Sequence, residues 1–102
     1  IDAVQKIMKK MGVKIDHFDL IEANEAFAAQ ALADGKALGW DWSRVNVNGG
    51  AVALGHPVGA SGARIVLTLA HEMCRRGVDL GGAAICGGGG QGEALVIRRI
   101  DR

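Results

Sequence analysis

The segment of residues 86–92 restricts the fold of this chain more than any other, because it places five glycines and one glutamine behind a cysteine. Glycine lets the backbone take positive φ angles and leaves room for a ligand to approach closely. Apolar residues on either side predict one strand over residues 82–86 and another over residues 94–97. We therefore expect a tight turn between two antiparallel strands, with the Cys86 thiol beside unobstructed backbone N–H groups.

Helical and strand patterns alternate before this hairpin. Four apolar residues near the start recur at the spacing of one buried helix face, which Gly12 ends: Val4, Ile7, Met8 and Met11. Strands are also predicted over residues 18–23 and 45–47, helices over residues 26–38 and 61–76, and an irregular loop over residues 49–59. The order α-β-α-β-α-β-β predicts a three-layer α/β/α fold with a mixed, mostly parallel sheet and an antiparallel last strand.

Composition and charge exclude several classes of protein. The chain has 102 residues and a net charge of +1, without the basic stripe that a nucleic-acid-binding protein presents. It has no run of about 18 uncharged apolar residues, so no membrane span is predicted. Cys74 and Cys86 are its only cysteines, too few for a disulfide framework, which favours a reducing compartment.

Three side chains that can do chemistry follow predicted strands: Asn24, His56 and Cys86. Ligands of open α/β sheets bind beyond the carboxyl ends of the strands, so we expect these three side chains to share a site. Each also has a simpler interpretation that the residues alone leave open. Asn24 can cap a helix, His56 can be structural, and Cys86 can be a small buried apolar residue.

Two patterns typical of bound groups are incomplete. Residues 87–92 contain a literal G-x-G-x-x-G, but a strand follows where a dinucleotide site requires a helix. His71 and Cys74 are spaced like metal ligands, yet no second ligand pair follows, so no metal site is predicted.

Other polar and aromatic residues receive local roles. Ser61 is expected to cap the N-terminus of its helix. Gly35 is expected to weaken the end of the preceding helix, and Trp40 and Trp42 are expected to pack over a helix end.

Three segments read together resemble the thiolase family. Residues 24–27 (Asn-Glu-Ala-Phe) are similar to one of its motifs, residues 46–64 to its glycine-histidine signature, and residues 86–92 to its cysteine-glycine signature. Their order and separations also fit, and the similarity covers nearly the whole chain. Residues 1–102 are identified as a thiolase C-terminal domain, which we expect to be truncated at its N-terminus because its first strand is missing.

The resemblance implies an acyltransferase that acts on coenzyme A thioesters, with no covalently bound cofactor. It implies the C-terminal catalytic half of an acetyl-CoA C-acetyltransferase, which joins two acetyl-CoA into acetoacetyl-CoA and CoA by Claisen condensation, or runs the reverse thiolysis. The amino-acid sequence of residues 21–29 favours this type of enzyme. The alternatives are a 3-ketoacyl-CoA thiolase of fatty-acid β-oxidation and a non-catalytic thiolase-like module for acyl binding or assembly.

The resemblance also implies residue roles. His56 would take the proton of a nucleophilic cysteine in the N-terminal half, and Cys86 would move a proton to and from the α-carbon of the second acetyl group. His56 and a water held by Asn24 would stabilise the enolate oxygen, and the Gly88 N–H would contribute to a second oxyanion hole. Phe27 would line the pantetheine channel.

The same resemblance implies partners and a place in the cell. The missing N-terminal half and further copies of the subunit would be the protein partners, and the isolated chain is expected to be inactive. A bacterial protein would be cytoplasmic, and a eukaryotic one mitochondrial or peroxisomal. Glu25 is assigned only a supporting or capping role.

Overall fold

Four α-helices, three single-turn 3-10 helices and three strands form within residues 1–100, which the computed structural model describes. The helices are α1 (Asp2–Met11), α2 (Ala28–Leu38), α3 (Ala51–Leu54) and α4 (Ser61–Arg76), and the strands are β1 (Leu20–Ala23), β2 (Leu80–Cys86) and β3 (Gly92–Arg98). Residues 101 and 102 of the predicted domain lie outside the described residues. No helix formed by residues 1–100 has the length and apolar character needed to cross a membrane.

The three strands form one mixed sheet in the order β1-β2-β3. β1 runs parallel to β2, with Leu20 opposite Gly81, and β3 runs antiparallel to β2, with Cys86 opposite Gly92. The hairpin predicted around the glycine segment is therefore confirmed, and its strands are longer than predicted. The α/β class and the antiparallel last strand are confirmed as well.

Helices cover both faces of the sheet. Neighbouring residues of β1 point to opposite faces, so they pack against different helices. Ile21 packs with buried residues that follow α2, and Val4 and Met8 of α1 lie against the same cluster. Leu20 packs on the other face, against Ile65, Leu69 and Met73 of α4. Helix α4 approaches β2 closely: a Cβ on Gly81 would lie 2.5 Å from Met73 Sδ. The result is the predicted three-layer α/β/α arrangement.

The predicted helix ends are confirmed wherever a glycine follows. Helix α4 spans the predicted residues and ends at Gly77, whose φ is 67°, and α2 ends at Gly39, whose φ is 66°. Glycine reaches this left-handed region without the steric cost that a side chain adds, so it stops a helix at a fixed place. Helix α2 begins at Ala28, two residues later than predicted.

The strand predicted over residues 45–47 is wrong. Only Val45 bridges to Ile21, after which Asn46 takes a φ of 49° and turns the chain away. The Asn46 carboxamide then makes the hydrogen bonds to β1 that the backbone of a strand would have made. Its Oδ1 accepts a hydrogen bond from the Ala23 N–H at 2.9 Å, and its Nδ2 donates to the Ala23 carbonyl at 2.8 Å. The edge of β1 is thus paired by a side chain.

The irregular loop predicted over residues 49–59 is wrong in part, because it contains the short helix α3. The Glu25 carboxylate supplies a long-range cap: its Oε1 accepts a hydrogen bond from the Val52 N–H at 3.2 Å. An acceptor at this position satisfies one of the N–H groups that a helix leaves free in its first turn. Local residue preferences do not reveal such a partner.

Gly35 is required by packing rather than merely tolerated. Trp40 and Trp42 meet edge to face, with ring centroids 5.4 Å apart, and both rings lie over Gly35 in α2. A Cβ on Gly35 would lie 2.5 Å from Trp40 Nε1 and 2.4 Å from Trp42 Cζ2. The predicted packing of the two tryptophans over a helix end is therefore confirmed.

Replacing Gly35 by alanine should destabilise the fold. Trp40 is only 7% exposed and has little room to move, so the added methyl group forces a rearrangement that typically costs about 1–3 kcal/mol. The gain in helix propensity, about 1 kcal/mol, offsets only part of this cost. Urea unfolding followed by tryptophan fluorescence should show a lower midpoint for Gly35→Ala.

Gly62→Ala is the matched control for this substitution. Gly62 also lies in a helix, but a Cβ there would meet no atom within 4 Å. This variant should unfold at the wild-type urea concentration or higher. An unchanged midpoint for Gly35→Ala would contradict the close packing of the two tryptophans over α2.

Candidate functional site

Asn24 and Cys86 lie at the same edge of the sheet, where two parallel strands end. Asn24 follows β1, and its N–H donates a hydrogen bond to the Ala84 carbonyl at 2.9 Å, which extends the β1–β2 pairing by one residue. Cys86 is the last residue of β2 and is a free, partly exposed thiol. The Asn24 side chain is only 1% exposed. The two residues therefore lie where the sequence predicts a site.

His56 reaches Asn24 from a different part of the chain. Its Nδ1 lies 3.4 Å from Asn24 Nδ2 and 2.5 Å from Ser61 Oγ. The loop that carries His56 is closed by the Pro57 carbonyl, which accepts hydrogen bonds from the N–H groups of Ala60 and Ser61 at 2.8 and 2.9 Å. The imidazole is thus held at the ring nitrogen that faces the protein.

Ser61 does not cap α4, so that expectation is wrong. It is the first residue of the helix, and Ala60 occupies the capping position. Its hydroxyl donates to the Pro57 carbonyl at 3.1 Å and lies against the His56 ring. The side chain is 1% exposed. Sequence reasoning missed this contact because a serine at a helix start is usually a cap.

A cavity of about 360 Å³ connects two of the three candidate side chains. Asn24 and Cys86 both line it, together with Gly90, Gln91, the start of α1 and one side of α2 along its length. His56, Gly88 and Phe27 are not among its lining residues. The structure therefore brings Asn24 together with His56 by direct contact and with Cys86 around one cavity.

The glycine turn leaves open space beside Gly88. The Gly87 N–H donates to the Gln91 carbonyl at 2.7 Å, which closes the turn, and Gly89 and Gly90 take positive φ angles of 74° and 80°. A Cβ on Gly88 would meet no atom within 4 Å. Nothing within residues 1–100 requires glycine there for steric reasons, so the space is available to a group outside the chain.

Phe27 is an apolar residue whose ring is left largely exposed by the described residues. It precedes α2 and is 72% exposed. Val52, Leu54 and Val58 of the neighbouring α3 and histidine loop are also exposed. These exposed apolar side chains belong to the segments that carry Asn24 and His56.

Glu25 joins the loop of Asn24 to the loop of His56. Besides capping α3, its Oε2 accepts a hydrogen bond from Asn46 Nδ2 at 2.9 Å. The carboxylate packs tightly under the backbone, since a Cβ on Gly50 would lie 2.1 Å from its carboxyl carbon. The capping role expected for Glu25 is confirmed, although the helix that it caps is α3.

A second carboxylate fixes the far side of the same loop. Glu72 of α4 accepts a hydrogen bond from Asn48 Nδ2 at 3.1 Å and also binds the guanidinium groups of Arg75 and Arg76. These hydrogen bonds, that from Arg75 above all, lower the pKa of Glu72 to about 2. Loop residues 46–49 are thus tied both to Glu25 and to α4.

Glu22 is a buried carboxyl that sequence reasoning missed. It lies in β1 on the α4 side and is 2% exposed, with Arg64 Nη1 3.8 Å from its Oε2. Within residues 1–100, neither of these two atoms has a hydrogen-bond partner. Burial raises the pKa of Glu22 to about 7, against the opposing effect of Arg64. An acidic residue inside an apolar strand was the available signal.

The chain is similar to a known protein family and to several known proteins. The family described as "Thiolase, C-terminal domain" matches residues 1–99. The acetyl-CoA acetyltransferase of Pseudomonas aeruginosa is 59% identical over 99 residues, which are 97% of this chain and 25% of that protein. The acetyl-CoA acetyltransferase of Escherichia coli K12 is 59% identical over 101 residues, which are 99% of this chain and 26% of that protein. The chain thus spans about a quarter of the length of these relatives.

Solved structures show the same similarity. The Bacillus anthracis acetyl-CoA acetyltransferase superposes with a TM-score of 0.94 at 49% identity, over 97% of this chain and 25% of that one. Human mitochondrial 3-ketoacyl-CoA thiolase in complex with CoA superposes with a TM-score of 0.96 at 48% identity, over 99% of this chain and 26% of that one.

Replacing Glu22 by glutamine should remove a pH dependence of stability. The folded chain keeps the Glu22 proton up to about pH 7, whereas the unfolded chain releases it near pH 4.5. The contribution of the protonated Glu22 carboxyl to the stability of the fold is therefore complete below pH 4.5 and is lost as the pH rises to about 7. Urea unfolding should show that the free energy of unfolding of wild type falls by roughly 3 kcal/mol from pH 4 to pH 8 relative to that of Glu22→Gln.

Glu93→Gln provides the control for the loss of one exposed carboxylate. If the difference in unfolding free energy between wild type and Glu22→Gln is the same at both pH values, the Glu22 carboxyl is not held in its neutral form.

Proposed function

Because the chain belongs to the thiolase family, we propose that it forms the C-terminal part of an acetyl-CoA C-acetyltransferase. The complete enzyme would join two acetyl-CoA into acetoacetyl-CoA and CoA, or cleave acetoacetyl-CoA with CoA. Its relatives of 59% identity bear the name acetyl-CoA acetyltransferase, which supports this type over others in the family.

The position of Asn24 is the observation on which the proposal rests. Asn24 contacts His56 at 3.4 Å and lines the same cavity as Cys86, so it is linked to residues of two other segments at one edge of the sheet. A carboxamide that is linked to both an imidazole and a thiol suits chemistry on a thioester, in which protons move and a negative oxygen forms.

His56 and Cys86 would handle the protons. A free thiol has a pKa near 8.5, so a nucleophilic cysteine needs a base to become a thiolate at neutral pH. His56 would take that proton. Cys86 would remove a proton from the α-carbon of the second acetyl group and return it in the reverse direction.

Asn24, His56 and Gly88 would stabilise developing negative charge. An enolate oxygen would bind His56 and a water held by Asn24, and the Gly88 N–H would donate to the thioester oxygen. The open space beside Gly88 and the exposed ring of Phe27 suit a neighbouring acyl-pantetheine chain.

The rest of the catalytic machinery would come from outside these residues. The nucleophilic cysteine would lie in an N-terminal part of the subunit, because this chain covers only about a quarter of its relatives. The exposed apolar residues around the site suit contact with that part. We expect a homo-oligomer, cytoplasmic in a bacterium and mitochondrial or peroxisomal in a eukaryote.

A 3-ketoacyl-CoA thiolase acting on longer acyl chains is the second candidate. The TM-score of 0.96 with human mitochondrial 3-ketoacyl-CoA thiolase, at 48% identity, supports it. A non-catalytic module that binds acyl chains or supports assembly is the third reading. The presence of Asn24, His56 and Cys86 together argues against it, since binding alone does not require a base and a thiol.

A chimeric enzyme tests all three candidates. This chain replaces the matching quarter of the E. coli acetyl-CoA acetyltransferase, with which it is 59% identical. CoA-dependent cleavage of acetoacetyl-CoA supports the proposal, and a preference for longer 3-ketoacyl-CoA supports the second candidate. A folded chimera that cleaves neither substrate would support the non-catalytic module.

In the chimera, Cys86→Ser should separate the two half-reactions. Transfer of an acetyl group to the nucleophilic cysteine should stay largely intact, because Cys86 acts only afterwards. Condensation should fall by roughly 100-fold or more, the usual contribution of a positioned acid or base. Mass spectrometry measures the acetylated cysteine, and acetoacetyl-CoA formation measures condensation. Cys74→Ser, at the exposed cysteine, is the control, and equal loss of both half-reactions in Cys86→Ser would contradict the role.

His56→Ala should slow the acylation step itself. Without its base, the nucleophilic cysteine remains mostly a thiol at neutral pH, and its alkylation by iodoacetamide should be roughly tenfold slower. Peptide mass spectrometry identifies which cysteine reacts. His71→Ala, which removes an exposed histidine of α4, should react like wild type. Unchanged alkylation in His56→Ala would remove His56 from the role of base.

A further inference from the structure

The two neighbours of His56 Nδ1 favour opposite tautomers of the imidazole. A hydrogen bond from the Asn24 amide requires Nδ1 to accept, which places the ring hydrogen on Nε2. A hydrogen bond to the Ser61 hydroxyl oxygen requires Nδ1 to donate, which leaves Nε2 with a free lone pair. Whichever contact is stronger decides whether Nε2 can serve as a base.

Distance favours Ser61. Its Oγ lies 2.5 Å from Nδ1, whereas Asn24 Nδ2 lies 3.4 Å from Nδ1, beyond the usual range of an N–H hydrogen bond. Because hydrogen bonds weaken as they lengthen, the Ser61 contact dominates the environment of the ring nitrogen.

The Ser61 hydroxyl has a second hydrogen-bond partner, the Pro57 carbonyl. Ser61 Oγ donates to the Pro57 carbonyl at 3.1 Å, and the Ser61 N–H donates to the same carbonyl at 2.9 Å. A hydroxyl has one hydrogen, so with that hydrogen on the Pro57 carbonyl the oxygen meets His56 as an acceptor. The side chain is buried at the first turn of α4, with 1% of the residue exposed.

We propose that Ser61 is a positioning residue that holds His56 as the tautomer with hydrogen on Nδ1, so that Nε2 can accept a proton. The carbonyl of Pro57, the hydroxyl of Ser61 and the imidazole form one chain of hydrogen bonds running in one direction. When Nε2 gains a proton, the bond from Nδ1 to Ser61 persists and strengthens, because the donor is then a cation. Ser61 itself touches no substrate, and its catalytic consequence rests on the proposed function.

The tautomer can be measured without any activity. The chain has three histidines, His17, His56 and His71, so selective 15N labelling and two-bond 1H–15N correlation resolve each ring. His56→Ala assigns the signal. Wild-type His56 should show hydrogen on Nδ1 at a pH where the ring is neutral. Hydrogen on Nε2 instead would overturn the proposal, whether or not any variant folds.

Ser61→Ala tests the consequence for chemistry. In the variant, the Asn24 contact is the remaining one at Nδ1, so the major tautomer should change to hydrogen on Nε2. In the chimera, alkylation of the nucleophilic cysteine should become roughly three- to tenfold slower at neutral pH, a loss no larger than that in His56→Ala, and the rate should recover at a pH where the thiol ionises unaided. Ser61→Thr, which keeps the hydroxyl, should restore the Nδ1 tautomer.

Ser43→Ala is the control, because Ser43 also donates from its hydroxyl, to Asp41, but on the exposed surface. A Ser61→Ala variant that keeps the wild-type tautomer and alkylation rate would overturn the proposal, as would a rate loss that is the same at every pH. A changed tautomer in a chimera that is inactive even with wild-type His56 would support the role of Ser61 and refute the proposed function instead.

Discussion

The parallel pairing of β1 with β2 is the constraint on which the site depends. β1 has only four residues, all buried, and it pairs with residues 81–84 of β2. Parallel strands end at the same edge of a sheet, so this pairing brings Asn24 and Cys86 to one edge although they are 62 positions apart in the sequence. The apolar layers of α1 and α4 on the two faces fix the register, because a shift by one residue would exchange the two faces of β1.

Side chains, rather than further strands, hold the loops around that edge. The Asn46 carboxamide pairs with the backbone of Ala23, the Glu25 carboxylate caps α3, and the hydroxyl of Ser61 binds the loop of His56. Each bond joins segments that are distant in sequence or separated by a turn. Loops held in this way can present side chains at defined positions without the regular spacing of a sheet.

The layer between β1 and α4 contains a concentration of buried polar groups. Burial raises the pKa of Glu22 to about 7 although Arg64 lies near it, and Asn24 and Ser61 are buried polar residues as well. Buried groups with unsatisfied atoms cost stability, and they collect where a protein needs fixed dipoles. In this chain Glu22 lies in β1 two residues before Asn24, so an unsatisfied buried carboxyl adjoins the candidate site along the strand.

The sequence alone determined the parts of the structure that depend on neighbouring residues. Helix α4, the glycine stops at Gly39 and Gly77, and the hairpin around residues 86–92 follow from local periodicity and from the backbone freedom of glycine. The motifs also located Asn24, His56 and Cys86. Only the tertiary structure decided which of them meet, and it placed Asn24 against His56 but left His56 off the cavity that Cys86 lines.

The tertiary structure also decided the roles that local preferences assigned wrongly. A serine before a helix and an apolar segment after a turn predict a cap and a strand, yet Ser61 binds an imidazole and Asn46 replaces a strand. The physical reason is that a polar side chain can form a hydrogen bond with any partner within about 3 Å, and folding brings most of those partners from elsewhere in the chain.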